Sequence, residues 1–100
     1  MAQLRSSIAL NTIVRQAKNQ ASTSRGDGIA LLNLDTGHYV GLNESGAEIW
    51  YLIQKKQSVS DLCARLVERY NVPPDQCFKE LVDVLTQLVT EGAVQIAEYE

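Results

Sequence analysis

One hundred residues carry 45% hydrophobic and 21% charged side chains, with six Gly and two Pro. That composition excludes a disordered tail, a collagen-like fibre and a low-complexity scaffold, and the length is that of one domain. Nine Lys plus Arg against twelve Asp plus Glu leave a net charge of −3, so overall charge draws the chain neither to a phosphate backbone nor to anionic lipid.

A chain of this size buries roughly 60–65% of its unfolded surface, which leaves little room for a deep, preorganised active site. Residues 1–7 have no apolar run behind Arg5 and read as a flexible tail rather than a signal peptide. No run approaches the roughly 18 apolar residues of a membrane span. The expected location is the cytoplasm. Cys63 and Cys77 are the only cysteines and His38 the only histidine. That falls short of the usual four ligands of a structural zinc. One disulfide is arithmetically possible. Both cysteines, however, fall on apolar helical positions, where a free thiol acts as a small hydrophobe, and they are read as reduced.

The first forty-odd residues read as strand. Ile8 to Val14 is rich in β-branched residues, and Ile8, Leu10, Thr12 and Val14 share one parity. Lys18 to Gly28 is polar with two Gly and reads as a loop; its Arg25-Gly26-Asp27 is a chance match to a cell-adhesion tripeptide. Ile29 to Leu34 is apolar at both parities, the pattern of a central strand. Asp35-Thr36-Gly37 closes a hairpin, and His38 to Leu42 returns as the third strand.

Helices follow. Asn43 is an N-cap for a helix to Gln54 with Ile49, Trp50, Leu52 and Ile53 on its apolar face. Ser58 to Asp61 has capping-box spacing and starts a second helix to Tyr70, which Asn71 closes in the left-handed conformation. Pro73-Pro74 opens the third helix, which ends at Gly92. At 100° per residue, its apolar residues from Cys77 to Val89 fill an arc of roughly 160°, wider than the minimal core stripe. One flank is therefore available to something outside the core. Ala93 to Ile96 has the composition of a short last strand. Segregated strands and helices give an α+β fold: a winged-helix-like domain, a three-stranded antiparallel sheet followed by three helices, over residues 8–96, with a tail at 97–100.

Catalytic machinery is missing from this reading. His38 is the only imidazole to serve a nucleophile, and it sits beside a turn. Gly26-Asp27-Gly28 lacks the length and the following Lys of a phosphate loop. A DNA-reading helix needs exposed basic or amide residues near its start, whereas Arg65 and Arg69 are interleaved with Asp61 and Glu68, and Lys79 stands among acids. The expectation is a protein that is no enzyme, with no cofactor, no metal, no nucleic acid and no membrane among its partners.

Leu34 to Trp50 contains, in order, Gly37, Tyr39, Leu42-Asn43, Gly46-Ala47 and Ile49-Trp50. This stretch resembles the signature of PqqD-like proteins, the precursor-peptide recognition elements of ribosomally made, modified peptides. Val59 to Leu62, Tyr70-Asn71-Val72 and the Leu-rich third helix continue the resemblance. It implies binding of a precursor's leader segment, added as a strand to the third strand and lying in a groove walled by the third helix. The chain is most similar to the stand-alone leader-binding protein of lasso-peptide clusters. Its implied partners are a cysteine-type leader peptidase and a macrolactam synthetase. Stand-alone relatives also serve radical-SAM enzymes.

On that basis His38, Tyr39, Val40, Gly41 and Leu42 are expected to form the backbone edge. Phe78, Leu81, Val82 and Leu85 are expected to form the pockets, with Lys79 and Asp83 as rim charges. The alternatives are a winged-helix DNA binder and a structural subunit whose edge pairs with its own copy.

Overall fold

A computed structural model describes residues 8–97. The expected tail at 1–7 and residues 98–100 lie outside the described residues. Strands β1 (Ile13–Gln16), β2 (Gln20–Arg25), β3 (Gly28–Asn33) and β4 (Tyr39–Leu42) come first. Then follow α1 (Glu44–Leu52), β5 (Gln57–Ser58), α2 (Val59–Tyr70), α3 (Pro74–Thr90) and β6 (Val94–Ile96). The α+β order and the three helices are those expected. The strands form two three-stranded antiparallel sheets, β5-β1-β6 and β2-β3-β4.

Two strands differ from the reading of the sequence. The polar stretch after Lys18 is not a loop but β2, which pairs with β3 from Gln20↔Asn33 to Arg25↔Gly28. Its residues are almost all exposed. An edge strand solvated on both faces needs no apolar alternation, because the ladder to its neighbour holds it. Gly26 turns the hairpin with φ of 61°, the glycine position of a two-residue type II′ turn. The first strand begins only at Ile13. Ahead of it the Thr12 Oγ1 accepts from the Ala9 N–H at 2.8 Å and the Thr12 N–H donates to the Ala9 carbonyl at 3.0 Å, a local turn that competes with extension. β1 then pairs with β5 and β6, outside the sheet that carries β4.

Helix boundaries follow their caps. The Asn43 side chain accepts from the Gly46 N–H at 2.9 Å, and Ser58 Oγ accepts from the Asp61 N–H at 3.1 Å. Asn71 is left-handed at φ 55°. Gly92 ends α3 at φ 80°. The core joins one face of each layer: Leu31 from β3, Trp50 and Ile53 from the α1 region, Leu62 from α2, and Leu81, Leu85 and Leu88 from α3. No buried polar or charged residue interrupts it among the described residues. Ala97 is also buried and donates to the Ile13 carbonyl at 2.8 Å, so packing continues one residue past β6. Among the described residues, no helix is long and apolar enough to cross a membrane.

Candidate functional site

Among the described residues, β4 is an edge strand with only β3 beside it. The Asn33 N–H donates to the His38 carbonyl at 2.9 Å, in line with the register Leu31↔Val40 and Ile29↔Leu42. Hydrogen-bonded pairs alternate in an antiparallel ladder. Val40 and Leu42 therefore turn their backbone groups toward β3, and Tyr39 and Gly41 turn theirs to the open side. Side chains alternate as well: Val40 and Leu42 pack against the core, while Tyr39 is 70% exposed. Gly28 lets β4 come this close, because a Cβ there would overlap the Leu42 carbonyl oxygen. His38 is exposed, its N–H held by Thr36 Oγ1 at 3.2 Å.

Beyond Leu42 the chain passes through Asn43 straight into α1, whose first turns floor a cavity of about 220 Å³. Ser45 and Ile49 of α1, Leu66 and Tyr70 of α2, and Val72 of the following turn line it. The fourth wall is Cys77, Glu80, Leu81 and Val84 of α3. Ser45 and Tyr70 also line a shallower depression with Leu42, Asn43, Arg25 and Asp27, so groove and strand end open to solvent side by side. At its other end α3 is tied to the sheet: Asn33 Nδ2 donates to the Glu91 carbonyl at 3.3 Å, and Gln20 Nε2 to the Gly92 carbonyl at 3.4 Å.

The structure thus brings together part of the expected set. Tyr39, Val40, Gly41 and Leu42 form the edge, and Leu81 lines the groove. Leu85 is fully buried and offers no surface. Phe78 and Val82 are half-buried on the other flank of α3, with Phe78 roughly 120° around the helix from Val84. Lys79 and Asp83 are exposed on its outer side. The groove takes its α3 wall from Cys77, Glu80, Leu81 and Val84 instead. Both flanks of the apolar arc look alike in sequence. Only the crossing of α3 over α1 and α2 selects between them.

Electrostatics at the groove are sparse. Glu80 is its one ionisable carboxylate, and Oε2 accepts from Gln76 Nε2 at 3.1 Å. Burial pushes both thiols up, Cys63 to about 11, and the Cys77 Sγ lies 3.9 Å from the Cys63 carbonyl oxygen. Neither is a nucleophile at neutral pH. The Tyr70 hydroxyl is enclosed without a hydrogen-bond partner of good geometry. Arg69 lies over that ring at 5.7 Å from its centroid, and this phenol is the first cause of the guanidinium's raised proton affinity. Among the described residues, no three His, Cys, Asp or Glu converge to hold a metal.

An open sheet edge beside an apolar groove, on a winged-helix-like α+β frame, defines the class. Residues 28–94 match the family model of coenzyme PQQ synthesis protein D (PqqD), and the chain belongs to that family. Two solved structures share the fold. One is TbiB1 in complex with the TbiA(beta) leader peptide, at 24% identity and a TM-score of 0.73, covering 86% of this chain and 98% of that one. The other is lasso peptide synthetase B1 complexed with the leader peptide, at 22% identity and a TM-score of 0.72, covering 82% and 96%. No curated protein matches the chain.

Proposed function

We propose that this chain is a non-catalytic adaptor that captures the leader segment of a ribosomally made precursor peptide. The leader adds as a strand to the open side of β4 and sets a side chain into the groove between α1, α2 and α3. The adaptor then presents the precursor to a separate leader peptidase, or to another modifying enzyme, in a lasso-peptide type of pathway. The observation that carries this reading is the juxtaposition of an unpaired strand edge at Tyr39 and Gly41 with an apolar groove two turns away on α1. Backbone pairing supplies affinity in such an arrangement and the pocket supplies selectivity. Membership of the PqqD family and a fold shared with two leader-bound proteins support it.

The test is calorimetry with the leader segment of a precursor encoded beside this chain's gene. Binding at micromolar or tighter affinity is expected, with amide shifts in β4. Absence of heat and of any shift for every neighbouring precursor overturns the reading.

A further inference from the structure

Among the described residues that line the groove, Glu80 is the one carboxylate and no lysine or arginine accompanies it, and that imbalance bears on what fills it. The cavity of about 220 Å³ is below the roughly 300–1,000 Å³ of small-molecule sites, room for a side chain rather than a metabolite. Ile49 and Leu81 are buried in its wall and Val84 is half-buried. Glu80 stands at its mouth, exposed, with Gln76 as its hydrogen-bond partner and no cation paired to it among the described residues. Lys79, its neighbour in sequence, lies 100° around the helix on the solvent side. The adjoining depression sets one cation, Arg25, against Asp27 and Glu44.

A guest laid over this mouth strips water from the Glu80 carboxylate. An apolar side chain leaves that charge unanswered, at a cost. An acidic one adds a like charge in a medium of lowered dielectric. A side chain with a long aliphatic stem and a cationic head does neither: the stem lies along Ile49 and Val84 and the head meets the carboxylate. Resting on the peptide-capture reading above, we propose that Glu80 is the specificity determinant of the groove. It selects guest segments that place a lysine or arginine there and rejects those that place an acid.

The probe is a phage-displayed library of random twelve-residue peptides, selected in parallel on the wild type, on Glu80→Lys and on Tyr39→Pro. Wild-type peptides are expected to carry Lys or Arg at one position relative to their apolar anchors, and Glu80→Lys peptides Asp or Glu there. For the strongest wild-type peptide, fluorescence polarisation is expected to show about a threefold to tenfold loss with Glu80→Gln. That loss disappears when the peptide's cation is replaced by methionine, which closes a double-mutant cycle. Glu80→Gln keeps a partner for Gln76, and its melting is expected to match the wild type. Peptides that need the Tyr39 edge yet show a phenol or no preference at that position, or ignore Glu80→Gln, overturn the Glu80 assignment alone. If no peptide is selected, or if selected peptides ignore Tyr39→Pro, the capture reading falls and this inference with it.

Discussion

Tyr39→Pro isolates the open side of β4, where strand addition is proposed. Position 39 directs its N–H away from β3, so the proline deletes no internal ladder bond, and proline is tolerated on an edge strand when its missing donor faced solvent. The residue before it is pushed toward extended backbone, which suits His38, whose carbonyl already accepts from the Asn33 N–H at 2.9 Å. Folding stability is therefore expected to change by less than about 1 kcal/mol. Guest binding loses one backbone hydrogen bond, about 1 kcal/mol net, and leaves a guest carbonyl facing a ring methylene, at a similar further cost. Together these weaken binding by about 2 kcal/mol, or roughly thirtyfold. Tyr39→Ala is the control, since it removes the 70% exposed ring and keeps the N–H. Val40→Pro is the opposite case. It cuts the ladder to Leu31, which is 1% exposed, and should cost the fold about 1–3 kcal/mol for the orphaned carbonyl. Calorimetry with a bound leader and thermal denaturation of each variant provide the comparison. A normally melting Tyr39→Pro that binds within twofold of the wild type refutes strand addition at β4.

Two glycines of the same hairpin give contrasting expectations. Gly28→Ala drives a Cβ into the Leu42 carbonyl, should cost about 1–3 kcal/mol by overpacking, and should speed hydrogen exchange of the Leu42 amide. Gly41→Ala meets nothing within 4 Å and should melt like the wild type. For Cys63, burial raises the thiol from 9.0 to about 11. Below pH 9 both folded and unfolded forms keep the proton and the contribution to stability is level. Between pH 9 and 11 only the unfolded thiol ionises, so stability falls as pH rises through that window. Urea midpoints across it check the sign, and iodoacetamide at pH 8 should label native Cys63 far more slowly than the unfolded chain.

The helical half is legible in the sequence because its signals are local. Asn43, Ser58, the Pro73-Pro74 pair, Asn71 and Gly92 each act within one turn, and each marks a boundary in the structure. The strands are less so. β2 shows no alternation, since neither of its faces is buried. Ile8 and Leu10 carry β-branched or apolar side chains, but Leu10 lies inside the turn that Ala9 and Thr12 close and Ile8 lies just ahead of it. The edge at β4 is legible, because a strand after a Gly turn and before an N-cap has few other places to go. The α3 wall is not. Val84 and Val82 are equivalent by periodicity, and helix crossing alone puts Val84 in the groove and Val82 outside it. Glu80 reads as one more solvated acid until that crossing is known.

Asn43 is a single residue that ends a strand on one side and caps a helix on the other. The junction works as a ruler. Consecutive Cα atoms are 3.8 Å apart, and the Asn43 side chain locks the first turn by its bond to the Gly46 N–H at 2.9 Å. The offset between Gly41, where a guest's backbone would be gripped, and Ile49, where its side chain would be sensed, is thus graduated by covalent chain rather than by the give of packed layers. On the proposed mode of capture, sequences that differ only in the spacing between gripped stretch and seated side chain would be told apart, and one residue inserted after Leu42 would recalibrate the scale.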